Sequence, residues 1–255
     1  MSVIGIIPAR LQSTRLPRKL LLNSTGKPLL QYAWEAARRA TLLDDVIIAT
    51  DSDEIAQIAT NFGADVEMTG EHPSGTDRVA EVARSLTANC SHIVNLQGDE
   101  PELEPDSVDQ LVESVLWTDS VQMATLATPI RDAEVLKDPS CTKVVCDARG
   151  RALYFSRCPI PFVRDENVSI GDADAPWLLH LGIYAYRRDF LLELAGMPPS
   201  RLEQFEKLEQ LRALDAGARL QVTVVEEPSI GIDTRDDYAR FVARTTSADP
   251  NRLAS

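Results

Sequence analysis

The sequence predicts an α/β protein built on a mostly parallel sheet covered on both faces, with an antiparallel subsheet in its middle third. Two observations carry this reading. In the outer thirds of the chain, short and nearly all-apolar strand runs alternate with helical patterns, as strands buried on both faces do. In the middle third, "VQMATLATPI", "TKVVCDARGRALYFSR" and "LLHLGIYAYRRDFL" are strand-rich, and "DARGR" has the form of a hairpin turn with Gly150. The 255 residues contain no internal repeat, low-complexity tract or linker. One domain over 1–247, with a β-rich arm over about 121–200, accounts for the pattern and leaves 248–255 as a frayed tail.

The elements follow in order. "VIGIIPA" is the first strand. "KPLLQYAWEAARRA" has Pro28 near its start and apolar residues at 29, 30, 33, 34 and 37, a helical stripe. "DDVIIATD" is a strand and "SDEIAQIATNFGA" a helix, with Ser52 as N-cap and Gly63 at its stop. "ADVEMT", "GTDRVAEVARSL" and "SHIVNLQGDEP" read as strand, helix and strand. The polar stretch "VRDENVSIGDADAPW" is expected to be a mobile loop. "PPSRLEQFEKLEQLRALDAG" is one helix with Ser200 as N-cap, Glu203 completing a capping box, Gly217 at the stop, and a core stripe of Leu202, Phe205, Leu208 and Leu211. "RLQVTVVE" and "DTRDDYARFVARTT" supply a last strand and helix.

Composition excludes several function classes. A net charge of -13 argues against general binding to nucleic acid or to an anionic membrane, both of which need a cationic surface. No run approaches the roughly 18 apolar residues of a spanning helix. The N-terminus is expected not to be a signal peptide, since its apolar part is short and no basic residue precedes it. Cys90, Cys141, Cys146 and Cys158 form no CxxC pair and only three histidines accompany them, which argues against zinc and for a reduced, cytoplasmic setting.

Against that acidic background, "IIPARLQSTRLPRKL" gathers Arg10, Arg15, Arg18 and Lys19, while the first acidic residue of the chain is Glu35. The cluster directly follows the first strand, and open α/β sheets bind ligands at the carboxyl ends of their strands. Ala9, Ser13 and Thr14 allow close approach to oxygens and the cations supply charge, so the loop suits a polyphosphate; a solvated surface loop is the alternative. Neither GxxxxGK[ST] nor GxGxxG is present. In "NLQGDEP", Asp99 after Gly98 is placed to hold Mg2+ against phosphate, or simply to make a turn. In "GIDTRDDYARF", Asp233 could be a second such carboxylate, or Asp233 or Thr234 could cap the last helix, with Asp237 completing a box. In "HPSGTDR", Ser74 and Gly75 could cap a helix or, with Arg78, read a nucleobase edge.

Together "IIPARLQSTRLPRK", "ATD", "HPSGTDR", "NLQGDEP", "ALYFSR", "PIPF", "HLGIYAYR", "LEQFEKLEQLRAL" and "GIDTRDD" resemble, in order and from the first strand to the last helix, the 3-deoxy-manno-octulosonate (Kdo) cytidylyltransferases, or CMP-Kdo synthetases. The resemblance implies a Rossmann-like nucleotide-diphospho-sugar transferase fold and a homodimer joined through the antiparallel subsheet. It also implies the Mg2+-dependent reaction CTP + Kdo → CMP-Kdo + diphosphate, in lipopolysaccharide biosynthesis. By this resemblance Ala9, Arg10, Ser13, Arg15 and Lys19 match the triphosphate loop, with Arg10 and Lys19 catalytic. Ser74, Gly75 and Arg78 match the cytosine-reading stretch, and Asp99 and Asp233 the catalytic Mg2+ ligands. Gln97, Arg157, His180, Tyr184 and Glu209 match the sugar pocket. Members often read "LPGKPL" where this chain has "LPRKLL", so Arg18 stands for a glycine and Leu20 for a proline. A stiffer loop with an extra cation is the expected consequence, which bears on the path of Lys19 and on CTP affinity. A CMP-sialic acid synthetase or another sugar nucleotidyltransferase is the nearest rival, and "ALYFSR" and "HLGIYAYR" favour Kdo. An inactive nucleotide-binding scaffold would have no physical need for Lys19, Asp99 and Asp233 together.

Overall fold

The computed structural model describes residues 1–13, 15–118, 120–164, 168–226, 229 and 231–248. Strand β1 (Ser2–Ala9) leads through a 3-10 turn (Lys19–Leu21) to α1 (Leu29–Ala37), β2 (Asp45–Thr50), α2 (Asp53–Asn61), β3 (Asp65–Met68) and α3 (Gly75–Ser85). Next come β4 (Cys90–Asn95), α4 (Pro105–Leu116), β5 (Met123–Pro129), α5 (Ala133–Lys137), β6 (Lys143–Cys146) and β7 (Ala152–Ser156). The order ends with β8 (Leu178–Arg187), α6 (Arg188–Gly196), α7 (Arg201–Glu206), α8 (Gln210–Asp215), β9 (Leu220–Val224) and α9 (Arg235–Ala248). Of the expected frayed end, 248–255, Ala248 closes α9 and 249–255 lie outside the described residues. The chain divides into two compact units, one of Ile4–Leu86, Asn95–Pro105 and Ser229–Ser255, the other of Met1–Val3, Thr87–Val94 and Asp106–Pro228.

In the first unit β1, β2 and β3 are parallel, with Ile6 opposite Ile47, Ala9 opposite Thr50, and Ile47 opposite Asp65. Ile6, Ile7 and Ile48 are fully buried, as are Leu29 and Leu30 of α1 and Ile55 of α2. Each such side chain contributes roughly 2 kcal/mol on burial. Leu16, in the middle of the basic loop, packs with Leu29, Ile232 and Phe241, so α9 and the loop share one cluster with α1. Ser52 caps α2 by accepting from the Ile55 N–H, and Gly63 follows at φ 89°, as the sequence predicts.

In the second unit β8 runs antiparallel to β5, and β5 parallel to β9. The β6–β7 hairpin turns at Gly150, φ 74°, and β6 also pairs antiparallel with β8. This is the expected antiparallel subsheet. Helix α4, which the patterns above do not single out, buries Val108, Leu111, Val112 and Val115 at helical spacing. The polar stretch 163–177 has an apolar underside: Val163, Val168, Ile170 and Ala175 pack on Ile130, Leu136 and Trp177. Its residues 165–167 lie outside the described residues. No helix among the described residues is long and apolar enough to cross a membrane.

The helix expected from Ser200 to Gly217 is broken. Lys207 takes the left-handed conformation, φ 55°, and separates α7 from α8. The expected core stripe is therefore corrected. Leu208 and Leu211 are buried, whereas Leu202 is 41% and Phe205 72% exposed. The break is fastened from β7: Ser156 Oγ donates to Glu206 Oε1 at 2.7 Å and the Arg157 N–H to Glu206 Oε2 at 3.0 Å. The start of the helix is as expected, with Ser200 and Glu203 exchanging capping-box bonds of 3.0 and 3.2 Å. Buried Glu203 also accepts from Arg212 Nε at 2.8 Å, and the pair holds its carboxyl below the ordinary carboxylate range. Removing one partner of a buried pair strands the other charge. Glu203→Ala should therefore lower the unfolding free energy by about 3 kcal/mol in urea titrations. A loss no larger than that of an exposed alanine substitution would show that the pair contributes nothing.

Candidate active site

Three charged side chains of the first unit meet although they lie far apart in sequence. Lys19 opens the 3-10 turn after the basic loop, Asp99 follows β4, and Asp233 precedes α9. The Lys19 ammonium donates to Asp99 Oδ2 and, at 3.0 Å, to Asp233 Oδ1. Arg15 pairs with the other oxygen, Asp233 Oδ2, at 3.0 Å. Lys19 is 11% exposed in its side chain and Asp233 45%, so the cluster is closed on the lysine side and open toward solvent on the other.

Local chemistry explains how each acid arrives there. A Cβ at Gly98 would come within 3.2 Å of Ile7 and Leu30 and 3.3 Å of Leu20, so the glycine lets the Asp99 turn lie directly on the core. Asp233 is spared capping duty. Thr234 Oγ1 accepts from the Asp237 N–H at 3.1 Å, and Asp237 Oδ2 accepts from the Thr234 N–H at 2.8 Å. The cap alternative thus belongs to Thr234 and Asp237, leaving the Asp233 carboxylate for Lys19 and Arg15. The Ile232 N–H donates to the Asp99 carbonyl at 2.9 Å and joins the two acid-bearing segments. Glu100, buried beside them, accepts from Ser229 Oγ; burial pushes its pKa up to about 7, the serine bond opposes the rise, and the Asp99 charge adds to it.

Arg18 adopts φ 55° and ψ 30°, the left-handed region that glycine favours, and pairs with Glu54 of α2. Lys19 nevertheless reaches both carboxylates, so the substitution at 18 leaves its side chain in the cluster. Ala9 is buried at the end of β1, Arg10 is exposed and Ser13 half-buried; Thr14 lies outside the described residues.

The "HPSGTDR" stretch forms the helix start that is one of the two roles read for it. Ser74 caps α3 by accepting from the Asp77 N–H at 3.2 Å, and an added Cβ on Gly75 would touch Pro8 at 3.4 Å. Arg78 is turned inward, 4% exposed, and pairs with Asp51 of "ATD" at 2.7 Å. That arginine fixes the α3 start against the end of β2. Gln97 is half-buried ahead of Gly98.

The other expected sugar residues belong to the second unit. His180 Nε2 lies 3.0 Å from Thr125 Oγ1, which also approaches the Leu181 and Ile183 carbonyls at 3.0 and 2.8 Å. A hydroxyl that donates to a carbonyl must accept from the imidazole, which assigns the proton to Nε2. The ring packs edge-on to Phe155 at 4.9 Å and beside Tyr184 at 5.4 Å, and this burial pushes its pKa down to about 3. Burial, with Tyr186 and Glu209 nearby, raises the Tyr184 hydroxyl well above its ordinary value. Glu209 is exposed at the start of α8.

Arg157, also matched to the sugar pocket, lies against backbone carbonyls. Its Nε donates to the Glu206 carbonyl at 2.6 Å, and its terminal nitrogens to Pro139 and Lys207 carbonyls at 2.8 and 3.3 Å. Two of these bonds hold the α7–α8 break, and the third ties it to the segment after α5. Gln210, which the motifs above do not single out, is 4% exposed, and its amide nitrogen has no partner among the described residues. The signal for it was already in "LEQFEKLEQLRAL", one residue past Glu209.

No group of three or more His, Cys, Asp or Glu side chains able to hold a metal occurs among the described residues. The two carboxylates at Lys19 nonetheless fit Mg2+. That ion takes one or two protein carboxylates and completes its shell with water and substrate phosphate.

Comparison with known proteins identifies the family. A family model described as "Cytidylyltransferase" matches residues 4–221. The chain is 45% identical over 250 residues to the 3-deoxy-manno-octulosonate cytidylyltransferase of Geobacter sulfurreducens, covering 96% of this chain and 99% of that protein. It is 48% identical over 246 residues to the protein of the same name from Pelobacter propionicus, covering 94% and 96%. The structure of CMP:2-keto-3-deoxy-manno-octonic acid synthetase complexed with CTP matches with a TM-score of 0.89 at 38% identity, over 97% of this chain and 100% of that one. 4-Diphosphocytidyl-2C-methyl-D-erythritol synthase from Anaerococcus prevotii matches with a TM-score of 0.62 at 13% identity, covering 95% and 97%, which shows a shared fold alone.

Burial of His180 has a thermodynamic signature. The unfolded chain protonates this imidazole near pH 6.5, the folded chain only near about 3, so the unfolded state binds more protons between those values. Stability therefore falls as pH falls through that window. From pH 6.5 to 4.5 the parent protein should lose about 2 kcal/mol more than His180→Gln in paired urea titrations. Equal losses would mean that the folded state accepts the proton.

Proposed function

The chain belongs to the 3-deoxy-manno-octulosonate cytidylyltransferase family, and on that footing we propose that it joins CTP to Kdo, releasing diphosphate and forming CMP-Kdo for lipopolysaccharide biosynthesis. The observation that carries this reading is the meeting of Lys19 with Asp99 and Asp233 beside a cationic loop. The 2-hydroxyl oxygen of Kdo attacks the α-phosphorus in line. A new oxygen–phosphorus bond forms, the bond to diphosphate breaks, and the hydroxyl proton passes to solvent. Both substrates are anions, so the work of the protein is to bring them together and offset their repulsion.

Ala9, Arg10, Ser13 and Arg15 hold the triphosphate, with the loop pinned by Leu16 in the core. Lys19 stabilises charge on the α-phosphate, where its partly enclosed ammonium acts more strongly than it would in water. Ser74 and Gly75 read cytosine from a helix start that Arg78 anchors on Asp51. Asp99 and Asp233 hold Mg2+, which supplies charge neutralisation at the phosphates and a lower pKa for the attacking hydroxyl. Gln97, His180, Tyr184 and Glu209 bind the sugar, with His180 as a neutral hydrogen-bonding group. Arg157 keeps the α7–α8 break in place and thereby supports Glu209. Four free cysteines and a nucleoside triphosphate substrate fit a cytoplasmic setting.

Two copies pair through the β arm. The β6–β7 hairpin supports this reading. A cavity of about 510 Å³ lined by Val145, Cys146, Leu153, Tyr154, Ile160, Pro161 and Pro176 lies on it, and Leu153 and Phe162 are exposed by 62% and 88%. Leu153→Glu combined with Phe162→Glu should shift the protein from dimer to monomer in sedimentation; an unchanged mass would place the contact elsewhere.

Diphosphate release from CTP and Kdo, followed with and without Mg2+, tests the reaction itself. Kdo with CTP should be turned over, N-acetylneuraminate or other nucleotides far less, and omission of Mg2+ should abolish the signal. Asp99→Asn, Asp233→Asn and Lys19→Ala should each cut turnover by about 100-fold or more with the fold intact. Near-parent activity in either aspartate variant would reject the metal ligands, and preference for N-acetylneuraminate would move the protein to the sialic acid reaction.

A further inference from the structure

Among the described residues, two contacts besides Lys19 tie the Asp99 segment to the Asp233 segment. One is the backbone bond from the Ile232 N–H to the Asp99 carbonyl, 2.9 Å. The other involves side chains: Ser229 Oγ donates to Glu100 Oε2. Glu100 is 9% exposed, and enclosing a carboxyl with a serine hydroxyl as its hydrogen-bond partner is an expensive way to fill space. An apolar residue of similar volume would stabilise the fold more, so packing alone does not account for an acid there. What the acid does provide is a directed link across the gap. It follows Asp99 immediately and reaches a residue four positions before Asp233.

We propose that Glu100 is a positioning residue that, through its bond to Ser229, holds the Asp99 turn in place and so fixes the separation of the Asp99 and Asp233 carboxylates. This rests on the reading of those two aspartates as ligands of a divalent cation. Residues that orient metal ligands without touching the metal typically change affinity by about 10- to 100-fold when removed. Glu100 and Ser229 act at that distance.

Mn2+ binding to the full-length protein with CTP and no Kdo, read as free Mn2+ by electron paramagnetic resonance, tests this without turnover. Glu100→Ala and Ser229→Ala should each raise the Mn2+ dissociation constant by about 10-fold. Their CTP affinity measured in EDTA should stay within about twofold of the parent, because the basic loop is untouched. Glu100→Gln retains an amide oxygen that accepts from Ser229 and should restore Mn2+ affinity to within about twofold. Parent-like Mn2+ affinity in Ser229→Ala overturns the proposal even if Glu100→Ala fails to fold. A Glu100→Gln protein as weak as Glu100→Ala also overturns it, since charge rather than the hydrogen bond would then matter. Failure of the parent protein to bind Mn2+ would instead reject Asp99 and Asp233 as ligands, and this inference with them.

Discussion

A single ammonium group facing two carboxylates is the constraint on which the first unit turns. Two acids brought together repel unless a cation offsets them, and in a chain of net charge -13 no general cationic field is available to do so. The offset must be local, and Lys19 with Arg15 provides it. The position of Lys19 is fixed in turn by apolar anchors on either side, Leu16 in the α1–α9 cluster and Leu20 under the Gly98 turn. Charge chemistry at the surface of this unit is therefore a consequence of where two leucines are buried. The same anchors bring the basic loop to the end of β1, the position open α/β sheets use for ligands.

Much of the site depends on a division between groups that cap and groups that remain available. Thr234 and Asp237 satisfy the start of α9, and Asp233 is left to the cluster. Arg78 and Arg157 go the other way. Each is a cation within a family motif, yet each spends its guanidinium on structure: Arg78 on Asp51, Arg157 on three carbonyls. A guanidinium offers five donors in a rigid fork, so it can brace several backbone groups at once. The enclosed His180 imidazole is neutral because a charged ring could not be solvated among Phe155 and Tyr184.

Periodicity and turn chemistry made most of the architecture legible: the parallel strands, the caps at Ser52 and Ser200, and the hairpin at Gly150 all follow from local rules. What was illegible came from tertiary contacts. The stripe of Leu202, Phe205, Leu208 and Leu211 has unbroken helical spacing, and no local signal announces that Lys207 will turn left-handed; the reason lies in β7, some fifty residues earlier. The apolar underside of 163–177 was hidden because Val163, Val168, Ile170 and Ala175 are scattered among charged residues. In the site, spacing alone left Asp99 and Asp233 balanced between turn, cap and ligand. Only the fold brings them to one lysine.

Arg18 shows how such a loop tolerates a locally unfavourable residue. A left-handed backbone costs a side-chain-bearing residue about 1–2 kcal/mol relative to glycine. The Arg18–Glu54 pair is about half exposed on both partners, so screening limits it to well under 1 kcal/mol, and it does not balance the strain. Leu20, 8% exposed two residues later, contributes roughly 2 kcal/mol on burial and is larger than either. The turn is thus held from its apolar end, and the arginine conforms to it. The identity of the residue at 18 is consequently secondary to the placement of Lys19, whereas loss of the Leu20 anchor would free the lysine from both aspartates at once.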